Sequence, residues 1–376
     1  MFHMFPDKQF RQFRPRVGTL ALTVGVSLSG GCGVAHVDSG TGSPAPSPPS
    51  ATDTSSVGTA MPPRIQWNAN FGYCGEVSII SAGLHFGQYM SQYDARAVAS
   101  GDAPQYLSDS QLLLGVNDVA AAKAMHLTAI PFRATENDGS KSFLTWVKGN
   151  VMAGYPVAIG VFANESLIDG STDSDAGSAE YDHIVGVTGI SSKHPFVAPA
   201  VYYDDDVITF NDNGLWTATS DSQPQNSFSF EFGTFGKTRR QANAETGPVY
   251  SLSNESDNYA IANTGVVDPN HETVPVRLTT SVNAESPAMV DGSGDRPAPA
   301  PVTLTITVSS LNPGTDYNLY RYSSMATVPD GDFNASAARA AQKWTITIPS
   351  GSTHTMTQNI MSDETAVYRA VPATAP

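Results

Sequence analysis

Cysteine is scarce in this chain, which has only Cys32 and Cys74 among its 376 residues. Cys32 lies in an N-terminal segment with the features of a processed signal, so Cys74 is expected to be the lone cysteine of the folded protein. A lone thiol cannot form an intrachain disulfide, which excludes a disulfide-held scaffold. The stability of the protein must therefore come from a hydrophobic core.

Positive charge is also scarce, because 20 Lys and Arg residues stand against 35 Asp and Glu residues. Removing residues 1–32 takes away four basic residues and one acidic residue, and changes the formal charge from −15 to −18. Such a surface repels the phosphates of nucleic acids and anionic lipid headgroups. Both classes of partner are therefore excluded.

Long apolar runs are missing beyond the N-terminus, so no permanent membrane-spanning helix is expected. Residues 1–32 have the order of an export signal, with basic residues before the uncharged stretch 17–31. Residues 28–32 resemble a bacterial lipobox, although Ser29 stands where an aliphatic residue is usual. The protein is expected to be secreted or held in the cell envelope, with membrane contact only through an acyl anchor at Cys32.

Composition divides the remaining chain into three parts. Residues 33–63 are rich in Pro, Ser, Thr and Gly and have almost no large apolar side chain, which predicts a disordered tether. Apolar periodicity then continues through residues 64–265, the expected first domain. Residues 271–376 alternate apolar and Thr side chains along strand-like runs, and we expect an all-β sandwich there.

The periodicity of residues 64–265 changes from helical to strand-like along the chain. Helices are predicted over residues 74–90, from 108 or 109 to 126 with Asp109 as N-cap, and from 140 or 142 to 152, with a stop at Gly154. Strands are predicted over residues 157–162, 183–190 and 201–210. Helices followed by an antiparallel sheet define an α+β fold.

Cys74 stands where a Gly/aromatic turn meets the first predicted helix. A thiol at a helix N-terminus lies beside unpaired N–H groups and the positive end of the helix dipole, both of which favour the thiolate. The alternative is a small buried hydrophobe, because free cysteine is among the most buried residue types.

A cysteine nucleophile needs a base and a group that orients the base. His183 opens a predicted strand, and Asn211 and Asp212 close the next one. In an antiparallel pair the start of one strand lies beside the end of the next, which predicts that Asp212 or Asn211 lies near His183. The alternatives are a strand-edge histidine bonded to backbone and, for Asp212, an ordinary turn residue.

These residues resemble, in their order, the papain-like cysteine peptidases, and more closely their bacterial C39-like branch. The resemblance covers residues 65 to 215, under half of the chain. The matching segments are Gln66…Cys74-Gly75, Gly154-Tyr-Pro156-Val157, His183-Ile-Val-Gly-Val and Phe210-Asn211-Asp212.

The resemblance implies a papain-like domain in which helices carrying Cys74 pack on an antiparallel sheet carrying His183 and Asp212. Cys74 would be the nucleophile, His183 the general base and then acid, and Asp212 its orienting group, with Asn211 the alternative. The oxyanion hole would use Gln66, for which Asn68 competes. A peptide or protein is the implied substrate, without a metal or other cofactor.

Two acidic features depart from the family pattern. Glu76 replaces the proline that usually follows Cys-Gly; it opposes a nearby thiolate or lines the substrate cleft, where it would select a basic partner. The loop 169–182 carries alternating aspartates but no closing glutamate of a calcium loop, so a solvated loop is predicted rather than a metal site. Residues 204–206 are interpreted in the same way.

The C-terminal part contains Leu311-Asn-Pro313 followed by Tyr317, which resembles the tyrosine corner of fibronectin type III-like sandwiches. Core packing explains these residues, so no chemistry is assigned to them.

Three functions remain open at the sequence level. The first is an exported or surface-anchored thiol peptidase that uses Cys74, His183 and Asp212. The second is a related acyl-transfer enzyme of the transglutaminase type, which needs the same three groups. The third is a papain-fold surface protein that binds a partner without catalysis.

Overall fold

A computed structural model describes residues 54–59, 61–67, 70–132, 139–164, 181–212, 227–236, 249–252, 258–281 and 298–373. Helix and strand make up 22% and 36% of the fold, and every named pair of strands in the described ranges is antiparallel. This mixed architecture agrees with the predicted α+β class. The predicted signal with Cys32, the first part of the predicted tether up to residue 53, and residues 165–180 of the acidic loop lie outside the described residues. The end of the predicted tether is not disordered: residues 55–58 form a strand that pairs with residues 189–192, and Met61 is buried.

Four helices and one short turn of helix occur in the described part of the first domain. Their bounds are α1 Cys74–His85, α2 Gln92–Ser100, α3 Asp118–Ala124, α4 Gly139–Met152 and α5 Phe232–Phe235. The prediction was accurate for α4, whose apolar residues recur on one buried face and which stops before Gly154 at φ +82°.

The sequence prediction was right about where the first helix begins, but wrong about where it ends and about the helix that follows. Helix α1 ends at His85 rather than near residue 90, because Gly87 takes a left-handed φ of +72° and packs against Val276. The predicted helix 108–126 is a 3₁₀ turn followed, after Gly115 at φ +77°, by the short α3. Asp109 is exposed and caps no α-helix, and α2 was not predicted.

An eight-stranded sheet forms the centre of the first domain. Its strands are β1 Ser55–Gly58, β3 Leu127–Pro131, β4 Val157–Ala163, β5 His183–Ser192, β6 Val207–Asn211, β7 Ser227–Glu231, β8 Tyr250–Ser251 and β9 Ala260–Val266. The main order is β3-β9-β4-β5-β6-β7, and β1 and β8 pair with β5 and β4. The central β4 is buried along its whole length, and α1 packs against β5. Since β6 begins only at Val207, the predicted strand 201–210 starts too early.

Two further sheets share one hydrophobic core in the C-terminal part. Their strands are β10 Val276–Thr280, β11 Pro301–Val308, β12 Asp316–Tyr322, β13 Gln342–Thr347, β14 His354–Met361 and β15 Ala366–Pro372. The sheet orders are β10-β11-β14 and β13-β12-β15, and the second sheet is completed by β2 Gln88–Tyr89. The Tyr317 hydroxyl accepts a hydrogen bond from the Asn312 N–H at 3.1 Å, which ties the entry of β12 to the preceding turn.

The strand β2 joins the two parts of the chain, because it follows α1 in sequence but pairs with β15. Leu84 and Tyr89 are fully buried in the core of the two C-terminal sheets. The Tyr89 hydroxyl also donates to the Ser362 carbonyl at 3.0 Å. The helix that carries Cys74 is therefore packed against the C-terminal sheets at its far end.

Candidate active site

Cys74 is the first residue of α1 and is half-buried. Tyr73 occupies the N-cap position and forms no side-chain capping bond with the first turn. The thiol therefore lies at the positive end of a twelve-residue helix, where the dipole favours a thiolate.

The turn before Cys74 is strained, since Asn70, Phe71 and Gly72 have φ values of +48°, +69° and +83°. A bulky residue such as Phe71 rarely takes this conformation, and such strain persists only where the surroundings impose it. The fully buried Arg96 holds the turn, because its guanidinium donates to the carbonyls of Asn70, at 2.7 Å, and Gly72.

Glu76 is the ion-pair partner of Arg96, with an Oε1–Nε distance of 2.7 Å, and also accepts from the Leu112 N–H at 3.0 Å. The Glu76 side chain is 1% exposed. The interpretation of Glu76 as a cleft residue is therefore wrong: the carboxylate is buried and neutralised, and it fastens α1 to α2. No local pattern indicates this pairing, which joins residues 20 positions apart on different helices.

Gly75 allows the backbone of Leu112 to pack directly on the start of α1. A β-carbon on Gly75 would lie 2.0 Å from the Leu112 carbonyl oxygen, which no side chain can occupy. Close packing against Leu112 therefore explains why the residue after Cys74 is a glycine.

His183 and Asp212 meet because β5 and β6 are antiparallel neighbours. His183 begins β5 and Asp212 directly follows β6, and the distance from His183 Nε2 to Asp212 Oδ1 is 3.1 Å. The side chains are 2% and 0% exposed, respectively. A hydrogen bond also links His183 to Cys74, and since Nε2 is engaged by Asp212, Nδ1 is the nitrogen left for the thiol.

The environment of His183 favours the imidazolium. Burial by itself lowers the pKa of His183, but the hydrogen bonds and negative charges of Asp212 and Cys74 outweigh burial and raise that pKa from 6.5 to about 10. His183 is therefore expected to be protonated at neutral pH, where it lies between Cys74 and the Asp212 carboxylate.

The other predicted site residues lie around this centre. Asn211 donates its side-chain N–H to the Met61 carbonyl at 3.1 Å, so Asp212 and not Asn211 contacts His183. Gln66 lies against Gly72, and its buried Oε1 has no hydrogen-bond partner in the described part of the chain. Asn68 lies outside the described residues.

Tyr250 is a member of the site that the sequence analysis missed. Its ring stacks on His183 with a centroid distance of 6.2 Å and packs edge-on against Phe210 and Phe228. Burial and the neighbouring Asp212 carboxylate raise the pKa of the Tyr250 phenol well above 10. Tyr250 covers the His183–Asp212 pair against water, and no local pattern around it signals this role.

Asp206 lies away from this centre and corrects a second prediction. Its carboxylate is fully buried and pairs with Lys148 at 2.7 Å, so Asp206 is not part of a solvated loop. Within the described ranges, no cluster of three or more His, Cys, Asp or Glu side chains is arranged to hold a metal ion. No helix in those ranges has both the length and the apolar character needed to cross a membrane.

Comparison of the chain with protein-family models, curated proteins and solved structures gives no match.

Proposed function

We propose that the protein is an exported or surface-anchored thiol hydrolase that cleaves peptide or amide bonds with Cys74, His183 and Asp212. The observation that supports this most directly is the buried His183, which is hydrogen-bonded to a thiol at a helix N-terminus and to a buried carboxylate. A purely structural histidine needs neither a thiol partner nor a raised pKa.

The proposed reaction begins from the Cys74 thiolate and the His183 imidazolium. The thiolate attacks the carbonyl carbon of the substrate and forms a tetrahedral oxyanion. His183 then gives its proton to the leaving amine, the C–N bond breaks, and a thioester remains on Cys74. Neutral His183 next takes a proton from water, which attacks the thioester and releases the carboxylic acid and the thiolate.

The Cys74 N–H and the side chain of Gln66 are the proposed donors to the oxyanion. Gln66 lies beside the turn that leads to Cys74, and its Oε1 is buried. Since Oε1 can only accept hydrogen bonds, the amide N–H₂ group of Gln66 is the part that would donate to the oxyanion. Loss of one such donor typically lowers turnover by about 10²–10³-fold.

A papain-like arrangement of the C39-like type belongs to the same proposal. Helix α1 with Cys74 packs against the antiparallel sheet that carries His183 and Asp212, as the resemblance requires. The ion pair of Glu76 with Arg96 also weakens the objection that this carboxylate opposes a thiolate at Cys74, because its charge is paired. Acyl transfer to an amine would use the same three groups and differs only in the acceptor.

The pH dependence of Cys74 alkylation by iodoacetamide tests the proposal. We expect a rate that is already high near pH 6 in the wild type, because the ion pair with His183 maintains the thiolate. In His183→Ala the rate should rise only near the ordinary thiol pKa of about 8.5. Mass spectrometry of the Cys74 peptide measures both profiles.

The control is His194→Ala, which removes a histidine paired with Asp205 at 2.9 Å on the surface. It should leave the profile unchanged. A wild-type profile that follows the ordinary thiol titration, with or without His183, would refute the proposed pair and favour a binding protein. Hydrolysis of a peptide library that is lost in Cys74→Ser then distinguishes catalysis from reactivity alone.

A further inference from the structure

A surface loop that follows the end of β5 carries a continuous apolar run. Residues 195–201 have the sequence Pro-Phe-Val-Ala-Pro-Ala-Val, and five of these seven residues are exposed. Val197 and Val201 expose 47% and 41% of their surfaces. A folded protein normally avoids an exposed run of three or more apolar residues unless the run has a function, and exposed apolar patches mark contacts with proteins or membranes.

The loop is fixed in place by the buried Lys148 of α4. Its Nζ donates to the Val201 carbonyl at 2.8 Å and pairs with the Asp206 carboxylate at 2.7 Å. The Phe196 ring packs against the core of the first domain, with its centroid 5.4 Å from the same Nζ. Because these contacts hold the loop, the exposure of Val197 and Val201 is imposed by the fold.

Charges beside the loop are balanced, although the chain as a whole is acidic. Lys193 lies 3.8 Å from Asp205, and Lys141 lies 3.9 Å from Asp204. These two pairs add no net charge beside the apolar run, whereas the whole chain carries a formal charge of −15. The surroundings of the loop therefore suit a neutral, zwitterionic surface better than a charged one.

The chain enters the fold beside this loop. Ser55, at the start of β1, pairs with Ser192, the last residue of β5. Residues 33–54 connect Ser55 to Cys32, where the sequence predicts an acyl anchor, and this length of chain reaches at most about 75 Å. An acyl anchor would therefore hold the molecule by the end of the sheet that carries the apolar loop.

We propose that residues 195–201 contact the surface of a zwitterionic lipid bilayer, with Val197 and Val201 inserted at the headgroup level. This inference rests on the proposed export to the cell envelope, but not on the proposed hydrolysis. His183 lies at the opposite end of β5, about 30 Å from Ser192 along the strand. The contact thus adds to the predicted acyl anchor and keeps the Cys74 site at the end of the sheet away from the bilayer.

Co-sedimentation with phosphatidylcholine vesicles tests this contact. The chain used is residues 33–376, which keeps every described residue and lacks the predicted signal and anchor. We expect this chain to bind the vesicles. The double variant Val197→Asp, Val201→Asp should bind about tenfold or more weakly, because it loses the burial of two half-exposed valines. Adding phosphatidylglycerol to the vesicles should also weaken binding, because the chain is acidic.

Val116→Asp is the matched control, because Val116 is 62% exposed but lies near the other end of β5. Leu114, two residues before it, accepts a hydrogen bond from the Tyr181 hydroxyl at 2.9 Å, and Tyr181 precedes β5. This variant should bind vesicles like the wild type. Cys74→Ser should also bind normally, so a failure of the proposed hydrolase would leave this result unchanged.

Equal melting temperatures of the wild type and the double variant would show that the substitutions act at the surface and not on folding. Three outcomes would overturn the proposal. They are the absence of vesicle binding in the wild type, an equal loss of binding in Val116→Asp, and a dimer in analytical ultracentrifugation that the double variant dissociates.

Discussion

At the scale of single residues, the proposed chemistry depends on one histidine that is enclosed by three different side chains. His183 contacts Asp212 through Nε2, hydrogen-bonds to Cys74, and is covered by the ring of Tyr250. Because water is kept from the histidine–carboxylate pair, the interactions inside it are stronger than they would be at the surface. The raised pKa of His183 is the consequence that an experiment can observe.

Replacing Asp212 by Asn should lower the pKa of His183, since the amide keeps the shape of the carboxylate but not its charge. In the wild type the ion pair is expected to persist until the pH approaches about 10. Its contribution to stability is fully present below pH 6.5 and is lost as the pH rises through about 10, because the folded-state pKa is the higher one.

In Asp212→Asn, His183 should lose its proton at a pH closer to neutrality, and the stability that its ion pair contributes should be lost at that lower pH. Alkylation of Cys74 and thermal melting, both measured from pH 5 to about 10, report the change. Asn211→Ala is the matched control, because Asn211 binds the Met61 carbonyl and not His183. Equal shifts in the two variants would argue against Asp212 as the orienting group.

At the scale of elements, helix α1 is held at its first turn by a backbone contact and an ion pair, and at its last turn by Leu84, which is buried in the core of the C-terminal sheets. Gly75 admits the Leu112 carbonyl at the first turn, and the Glu76–Arg96 pair ties α1 to α2. The strained turn 70–73 is held by the same arginine, so the direction of the Cys74 side chain depends on this small network.

Two glycines of α1 offer a matched comparison. Gly75→Ala should destabilise the protein and slow Cys74 alkylation, because the new methyl group would lie 2.0 Å from the Leu112 oxygen. Gly83→Ala should be neutral or stabilising by up to about 1 kcal/mol, since alanine favours helix and the nearest atom is 3.4 Å away.

Denaturant unfolding and the alkylation rate of each glycine variant provide the measurement. If Gly75→Ala kept both the stability and the reactivity of the wild type, the close contact with Leu112 would not hold.

At the scale of the whole molecule, the first domain and the C-terminal sheets share a strand and a hydrophobic core, and are not joined by a linker alone. Strand β2 belongs in sequence to the first domain and in space to the C-terminal sheet, and Leu84 of α1 lies in the core of those sheets. The predicted division into 64–265 and 271–376 therefore places β2 and β15, which pair with each other, in different domains.

A chain that ends at residue 270 should for this reason fold poorly. It would expose Leu84 and Tyr89, which are fully buried in the full chain. Each such side chain contributes about 1.5–3 kcal/mol when buried. We expect one cooperative calorimetric transition for the full chain, and a lower melting temperature with aggregation for the shortened one. A shortened chain that melts like the full chain would show that the first domain is independent.

Local sequence patterns predicted many residues of the candidate site, but not most of the contacts between them. Helix α4, strands β4 and β5 and the alternation along β11 follow from periodicity within short segments, which one sequence records directly. The contact of His183 with Asp212 was expected because neighbouring antiparallel strands bring such ends together. Helix α2 was missed although it carries local signals, since Ser91 caps its start and Gly101 ends it at φ +64°. The second predicted helix was drawn too long, because Gly115 takes a left-handed φ of +77° and divides it.

The sequence by itself determined that Cys74 opens a helix, that His183 opens a strand and that Asp212 follows the next one, since each depends on residues close in the chain. Only the tertiary structure decided that Asp212 rather than Asn211 contacts His183, that Arg96 neutralises Glu76, and that Tyr250 covers the pair. These contacts join residues far apart in sequence, and their partners are selected by how strands and helices pack. No local pattern can record that selection.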